Sequence, residues 1–343
     1  MWVQGKSQNP HPRYHPDTHT HTHTFFMEVA VDIPKISYTG KIKEVTIGSG
    51  DPALTVGGEG IYPFHLFEGA LKHPPRIAME VYDAPPEDWP AAALDPFREV
   101  AADPVAWAQK CVSAYGAKMI CLQLASTDPN GANRPAEEAA ATAKKVADAI
   151  SVPLIVWGCA NDDKDAETLR RVAELCSGKN LVIGPVSEKN YKQVGAGAIA
   201  YKHILAASTP IDVNLAKQLN VLLGNLGVPD GQILVDPTTG GLGYGIEYSY
   251  SVMERDRMAA LTQQDERLQF PIICNLAREV WKTKEAKLSA AEDPTLGDPV
   301  KRGILMEAVT AATLLLAGAN ILIMRHPEAI KLIQGLIADF LKK

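Results

Sequence analysis

Eight apolar, β-prone runs recur between residues 76 and 327, and this repetition constrains the fold more than any other feature of the sequence. Each run is almost continuously apolar, which is typical of strands buried on both faces in a parallel sheet. The runs are Arg76–Asp83, Lys118–Ala125, Val152–Cys159, Asn180–Val186, Gly197–Leu205, Ile233–Thr239, Pro271–Ala277 and Ala319–Pro327. The sequence therefore predicts a mainly parallel sheet.

Segments with helical periodicity separate these runs. One example is the apolar stripe that includes Ile211, Leu215 and Leu219, with Gly227 as its predicted C-cap. Another is the last helix, which we expect to begin at Pro327. Strands that alternate with helices in this number favour a TIM (β/α)8 barrel, and a doubly wound open sheet is the alternative because periodicity does not reveal closure.

The residues before the first of these strands divide into two regions. Short β-prone runs between Gly-rich turns predict a β-hairpin, so we interpret residues 27–75 as an N-terminal extension and residues 76–343 as the barrel. Residues 1–26 are a low-complexity tail with five of the nine histidines, namely His11, His15, His19, His21 and His23. We interpret this tail as an expression tag or an over-extended start, and the alternative is metal scavenging by exposed imidazoles.

Composition excludes several classes of protein. The formal net charge is -6 and the pI is near 5.9, whereas nucleic-acid binding needs a basic or strongly clustered basic field. No apolar run reaches the roughly 20 residues that cross a bilayer. We therefore expect a cytoplasmic protein with neither a nucleic acid nor a membrane as its partner.

The five cysteines are not arranged as a metal or cluster site. No two of them form a CxxC pair, and their spacing matches neither a zinc nor an iron–sulfur pattern. We expect Cys111, Cys121, Cys159, Cys176 and Cys274 to be structural or incidental, so that any metal would come with a cofactor or a partner chain.

In a barrel the functional groups gather where strands end. The polar residues at the predicted strand ends include none of the common catalytic motifs, neither HExxH, GxSxG, a Walker loop nor GxGxxG. These residues are Glu80, Asp83, Gln123, Asn161, Asp162, Lys202, His203, Asp236, Asn275, Arg325 and His326.

The most distinctive segment follows the sixth predicted strand. After Asp236 and Pro237, four glycines occur within ten residues, before a helix that we expect to begin near Glu247. Glycine lets a flat ligand approach the backbone, and a helix N-terminus offers free N–H groups to an anion. The alternative interpretation is a long flexible turn. The glycines are Gly240, Gly241, Gly243 and Gly245.

Five segments of the chain resemble the small subunit of the corrinoid iron–sulfur protein, which belongs to the same family as the delta subunit of the acetyl-CoA decarbonylase/synthase complex. The resemblance runs from about Lys41 to the C-terminus and excludes the His-rich tail. The segments are GGLGYGIEYSYSVMER from Gly240, PFHLFEG from Pro63, WAQKC from Trp107, DVNLAKQLNVL from Asp212 and MRHPEA from Met324.

This resemblance implies a TIM barrel in a heterodimer whose larger subunit carries a [4Fe–4S] cluster and a cobalamin-binding domain. It implies cobalamin at the interface and no iron–sulfur cluster in this chain. The cobalamin would carry a methyl group from a methyltetrahydropterin-dependent methyltransferase to acetyl-CoA synthase, in the reductive acetyl-CoA (Wood–Ljungdahl) pathway. The chain would be an accessory subunit without catalytic residues or metal ligands of its own.

We predict that backbone-rich contacts and a few donors at the barrel mouth face the corrin. The cofactor-binding candidates are Asp236, Gly240, Gly241, Gly243, Tyr244, Gly245, Asn275, Arg325 and His326.

Two other functions stay open at this point. The family resembles pterin-binding barrels such as dihydropteroate synthase, so the chain could itself be a pterin-dependent methyltransferase that binds a reduced pterin through Asp83, Asn161 and Asp236. The plainer alternative is a structural scaffold without any ligand. For Arg325 and His326, the alternative to a ligand contact is a local pairing with Glu328 or a neighbouring loop.

Overall fold

The structure is a computed structural model, and it describes residues 33–342. Residues 36–342 form one compact unit. The His-rich tail, residues 1–26, therefore lies outside the described residues, as do residues 27–32 of the predicted extension.

Eight parallel strands close into a barrel in the described part of the chain, and each pairs with the next in sequence while the last pairs with the first, which confirms the predicted TIM barrel. Before them, β1 (Val45–Ile47) and β2 (Leu54–Val56) form the predicted antiparallel hairpin. The barrel strands are β3 (Arg76–Tyr82), β4 (Ile120–Gln123), β5 (Leu154–Trp157), β6 (Val182–Val186), β7 (Ile204–Ser208), β8 (Ile233–Asp236), β9 (Ile272–Asn275) and β10 (Ala319–Met324).

Helices surround these strands. The α-helices are α1 (Ala91–Leu94), α2 (Pro104–Ser113), α3 (Ala136–Ala149), α4 (Asp162–Leu175), α5 (Tyr191–Tyr201), α6 (Val213–Leu226), α7 (Glu247–Leu261), α8 (Ala277–Lys282), α9 (Lys284–Lys287), α10 (Pro299–Ala317) and α11 (Pro327–Phe340). Single 3₁₀ turns occur at Asp95–Phe97, Ala125–Thr127, Asp230–Gln232, Gly240–Gly243 and Pro294–Leu296. None of the helices between residues 33 and 342 is long and apolar enough to cross a membrane.

Local sequence signals explain where several helices begin and end. Gly227 has a φ of 97° and closes α6, because glycine adopts the left-handed conformation without steric cost. Asp298 caps the N-terminus of α10 by accepting a hydrogen bond from the Lys301 backbone N–H, and Pro299 occupies the first turn.

One predicted strand is wrong. Most of Gly197–Leu205 is helical, because α5 continues to Tyr201 and β7 begins only at Ile204. Lys202 takes a left-handed φ of 61° as the cap of α5, and His203 is fully buried, with its Nε2 bonded to the Ala173 carbonyl. Both residues therefore precede a strand and lie away from the strand ends where we expected them.

The hairpin covers one end of the barrel. Val45, Ile47 and Val56 pack in the same buried cluster as the side chains inside the barrel. The Asn180 side chain, just before β6, donates to the Thr46 carbonyl at 2.8 Å. Since the amino-terminal end is closed in this way, the opposite end, where the strands finish, is the open one.

Candidate functional site

The floor of the open mouth is a network of buried polar side chains from neighbouring strands. The Gln123 side-chain amide, at the end of β4, donates to Glu80 Oε1 at 3.0 Å and to Asn275 Oδ1 at 3.2 Å. Each of these three residues is less than a tenth exposed. The network links β3, β4 and β9 across the mouth, and Gln123 also lines a cavity.

Arg325 is a buried cation at the end of β10. Its Nε lies 2.6 Å from Glu80 Oε2, and both side chains are at most 3% exposed. The guanidinium carbon also lies 3.5 Å from the centre of the Trp89 ring, which is a cation–π contact. Burial alone would lower the pKa of Arg325, but the Glu80 carboxylate raises it above its ordinary value.

The turn that follows β10 is held by Glu307, a residue that our sequence analysis missed. The Glu307 carboxylate, on α10, accepts hydrogen bonds from the backbone N–H groups of Arg325 and His326 and from the Trp281 indole. The side chain is fully buried, and burial raises the pKa of Glu307 to about 7. An acid on the buried face of an otherwise apolar helix was the available signal, since Ile304 and Ala311 share that face.

His326 serves the same turn. Its Nδ1 accepts the Glu328 backbone N–H at 3.1 Å and so caps α11, and its ring stacks on Trp281 with centroids 6.0 Å apart. Burial lowers the pKa of His326, so the neutral ring that a cap requires is favoured. His326 therefore makes a local contact with Glu328, through the backbone N–H of that residue. Arg325 instead pairs with Glu80, which is distant in the sequence.

Asp236 ends β8 and organises the turn after it. Its carboxylate accepts from Ser208 Oγ at 2.7 Å and from the Thr238 backbone N–H at 3.0 Å. Burial raises the pKa of Asp236 to about 6. The Thr239 hydroxyl donates to the Asn275 carbonyl at 2.7 Å, which ties the start of the Gly-rich turn to β9.

The Gly-rich turn itself offers mainly backbone. A Cβ atom at Gly240 or Gly243 would meet no described atom within 4 Å, so both positions face open space. Gly241 is buried against Ile211 and Ser249, and Gly245 has a φ of 145° that a side chain would strain. Tyr244 is 91% exposed, and α7 begins at Glu247 as predicted.

Two cavities open at the mouth. The first, which we call the Arg325 cavity, measures about 260 Å³ and is lined by Tyr82, Trp89, Gln123, Cys159, Arg278 and Arg325, among others. The second, the Asp236 cavity, measures about 290 Å³ and is lined by Trp157, Ser208, Asp236, Thr238, Gly240 and Asn275, among others. Arg278 is exposed and lines both cavities. Of the nine predicted cofactor-binding residues, four line one of these two cavities, namely Asp236, Gly240, Asn275 and Arg325.

The residues expected for a pterin are already engaged within the chain. Asp83 accepts hydrogen bonds from the Ser126 backbone and hydroxyl, and Asn161 caps α4 by accepting from the Lys164 N–H. Asp236 is held by Ser208 and Thr238, as described above. The arrangement therefore disfavours a dedicated pterin site made of these three side chains.

The cysteines are buried free thiols. Burial raises the pKa of Cys111 to about 12 and that of Cys176 to about 11, so both stay protonated near neutral pH. Cys159 lies at the mouth, where its Sγ is 3.4 Å from Asp165 Oδ1. Within residues 33–342, no three side chains of His, Cys, Asp or Glu are grouped so as to hold a metal ion.

Solved structures with a similar fold include dihydropteroate synthases. The enzyme from Xanthomonas albilineans with 4-aminobenzoic acid aligns with a TM-score of 0.56 at 14% identity, over 88% of this chain and 100% of that one. The enzyme from Stenotrophomonas maltophilia aligns with a TM-score of 0.53 at 14% identity, over 79% and 94% of the two chains. At this identity the likeness concerns the fold alone, and it agrees with the predicted TIM barrel.

Sequence comparison identifies the family. The model of the CO dehydrogenase/acetyl-CoA synthase delta subunit matches residues 44–338. The acetyl-CoA decarbonylase/synthase complex subunit delta of Methanopyrus kandleri is 36% identical over 287 residues, which are 83% of this chain and 70% of the relative. That of Archaeoglobus fulgidus is 34% identical over 312 residues, 88% and 68% of the two chains. The chain belongs to the family of CO dehydrogenase/acetyl-CoA synthase delta subunits.

Proposed function

We propose that this chain is the small subunit of a corrinoid iron–sulfur protein, with its barrel mouth against a cobalamin that a larger iron–sulfur subunit carries. Membership in the delta-subunit family supports this assignment. When bound, a corrinoid supplies a cobalt centre that takes up and releases a methyl group. The donor of that group is a methyltetrahydropterin-dependent methyltransferase, and the acceptor is acetyl-CoA synthase.

The observation that carries the proposal is the open backbone of the Gly-rich turn. Gly240 and Gly243 leave room where any other residue would place a Cβ atom, and the turn lies beside the Asp236 cavity. A flat macrocycle needs such a surface to approach the backbone closely. The residues present therefore fit one face of a corrin, and the exposed Tyr244 ring adds a flat apolar surface at the same rim.

Side chains at the mouth supply donors for the periphery of the corrin. Arg278 forms no ion pair with the described residues, and Arg325 presents its guanidinium to a cavity while Glu80 holds its Nε. Both can donate hydrogen bonds to amide or phosphate groups of a corrinoid. Because a methyl carrier must expose cobalt to several partners in turn, we assign no permanent cobalt ligand to this chain.

An apolar surface next to the turn suits a protein partner. A groove of about 610 Å³, which we call the α10 groove, includes Leu242 and Ile246 beside the Gly-rich turn. On its α10 side, Leu305 and Val309 are 55% and 64% exposed. Exposed apolar groups of this kind are typical of a protein interface, and this one is continuous with the rim that we assign to the corrin.

Mixing the subunits tests the proposal. The isolated chain should bind little cobalamin, whereas the chain mixed with the larger subunit should co-elute with it and with about one cobalamin per heterodimer. The measurement is gel filtration with absorbance detection of the corrin. A stable stoichiometric cobalamin complex of the isolated chain, or failure of the two subunits to associate, would contradict the proposed division of roles.

Metal analysis of a chain that lacks residues 1–26 tests the interpretation that the cysteines bind neither a metal ion nor an iron–sulfur cluster. We expect neither iron nor cobalt in molar amount and no broad iron–sulfur absorbance, because the buried thiols are not grouped as cluster ligands within the described residues. The tail is removed because its imidazoles could collect divalent ions. Stoichiometric iron in this truncated protein would contradict that interpretation of the cysteines.

A further inference from the structure

A groove on the outside of the barrel, which we call the α2–α11 groove, lies between α11 and the loop that follows α2, over the first half of β3. Its volume is about 470 Å³, which is within the usual range for small-molecule sites. The apolar part of its wall includes Pro75, Ile77, Met79, Ile330 and Ile337. None of the residues that line this α2–α11 groove lines the Arg325 cavity or the Asp236 cavity.

The charged residues of the groove are mostly basic. Arg76, Lys118 and Lys331 line it, and Glu328 is the one acid among its lining residues. None of the three cations forms an ion pair with any residue between 33 and 342, although 19 other ion pairs occur in that part of the chain. In a protein with a net charge of -6, three cations against one acid in a single groove are a local excess of positive charge.

Among the three cations, Arg76 gives the strongest indication of a ligand. Its Nε is buried and has no hydrogen-bond partner among the described residues. Burial lowers the pKa of Arg76, and no carboxylate offsets this effect. A buried donor without a partner is unfavourable by about 1–3 kcal/mol, so native proteins rarely leave one unless something else binds there.

We propose that the α2–α11 groove binds an organic anion, with a carboxylate or phosphate group paired to Arg76 and an apolar body against Ile77, Ile330 and Ile337. The planar guanidinium of Arg76 can hold either head group with two parallel hydrogen bonds. Lys118 and Lys331 add positive charge at the exposed edge of the groove. The site is separate from the barrel mouth, so it does not depend on the corrinoid assignment.

Calorimetric titration of the full chain tests this site with three probes. Octanoate and octyl phosphate carry the two head groups on the same apolar body, and octanamide is the neutral control. We expect at least one of the two anions to bind at one site per chain, and we expect octanamide to bind at least tenfold more weakly. The stronger of the two anions identifies the head group.

Substitutions then locate the binding. Arg76→Met retains an apolar stem and should raise the dissociation constant of the better anion at least tenfold, while Lys331→Gln should raise it about two- to fivefold through the loss of one exposed charge. Lys301→Gln, in the α10 groove, is the matched control and should leave binding unchanged. Because Arg76 has no partner within the described chain, Arg76→Met should not lower the melting temperature.

Several results would overturn the proposal. These are the absence of measurable binding of both anions, equal binding of octanamide, and an unchanged dissociation constant in Arg76→Met. Loss of binding in Lys301→Gln would move the site to the α10 groove. A fall in the melting temperature of Arg76→Met would mean that the guanidinium is held within the chain, which also contradicts the proposal.

Discussion

At the carboxyl end of β10 the barrel mouth is held by charged side chains that bond to one another, whereas after β8 it ends in a glycine-rich turn whose backbone faces open space. In the first half, Arg325 pairs with Glu80, and Glu307 fixes the backbone of the following turn. In the second half, a Cβ atom at Gly240 or Gly243 would meet no atom of residues 33–342 within 4 Å.

This difference separates two roles. Buried charged side chains of the β10 half bond to groups within the chain, so its residues should matter first for the stability of the fold. The β8 half contributes little to packing at Gly243, so a change there should matter only if something binds against it. Substitutions in the β10 half should therefore lower the stability of the fold, whereas substitutions in the β8 half should weaken ligand binding.

The largest expected effect comes from breaking the buried ion pair. Arg325→Ala leaves the Glu80 carboxylate buried without its partner and should lower the free energy of unfolding by about 3–5 kcal/mol. Urea denaturation measures this change in the free energy of unfolding. The double variant Glu80→Leu with Arg325→Leu should recover most of the loss, and Arg98→Ala, in an exposed pair with Asp95, should have little effect. A loss well below 1 kcal/mol in Arg325→Ala would contradict the account.

The raised pKa of Glu307 should make the free energy of unfolding depend on pH, and this effect is of intermediate size. Its pKa is about 7 in the folded protein and near 4.5 when unfolded, so the folded state binds the proton more tightly. The stability of the wild type should therefore fall, relative to Glu307→Gln, by roughly 2–3 kcal/mol as the pH rises from about 4.5 to about 7, and should level off above that. Denaturation of both proteins across this pH range measures the difference. A difference that grows in the opposite direction would contradict a raised pKa.

A smaller effect is expected at His326. His326→Ala removes the side-chain cap of α11 and should lower the free energy of unfolding by about 1 kcal/mol. Since the ring already serves the fold, the methyl-transfer rate of the heterodimer should change less in this variant than in Gly243→Val. Thermal melts and single-turnover methyl transfer are the two measurements. A larger loss of transfer in His326→Ala would assign a ligand contact to the imidazole.

The sequence predicted the barrel because alternating strand and helix periods are local signals. It misplaced β7 because the segment before it, rich in alanine and glycine, is apolar enough to resemble a strand, although Gly195 and Gly197 let α5 lie close to Leu226 and Ala173. The contacts of the mouth were not predictable, since Arg325 and Glu80 are 245 positions apart. A pair so far apart in the sequence forms only because the barrel closes, and the hydrophobic periodicity of the sequence does not indicate closure.

The most direct test of the central claim is cobalamin retention by the heterodimer formed with Gly243→Val. Gly335→Val is the matched control, because a Cβ at Gly335, on α11, also meets no described atom within 4 Å. The corrin absorbance that remains after gel filtration is compared with that of the wild type. We predict a several-fold lower cobalamin content in Gly243→Val, with co-elution of the subunits and an unchanged melting temperature, and wild-type content in Gly335→Val. Full retention of cobalamin in Gly243→Val would contradict the assignment of the Gly-rich turn to the corrin.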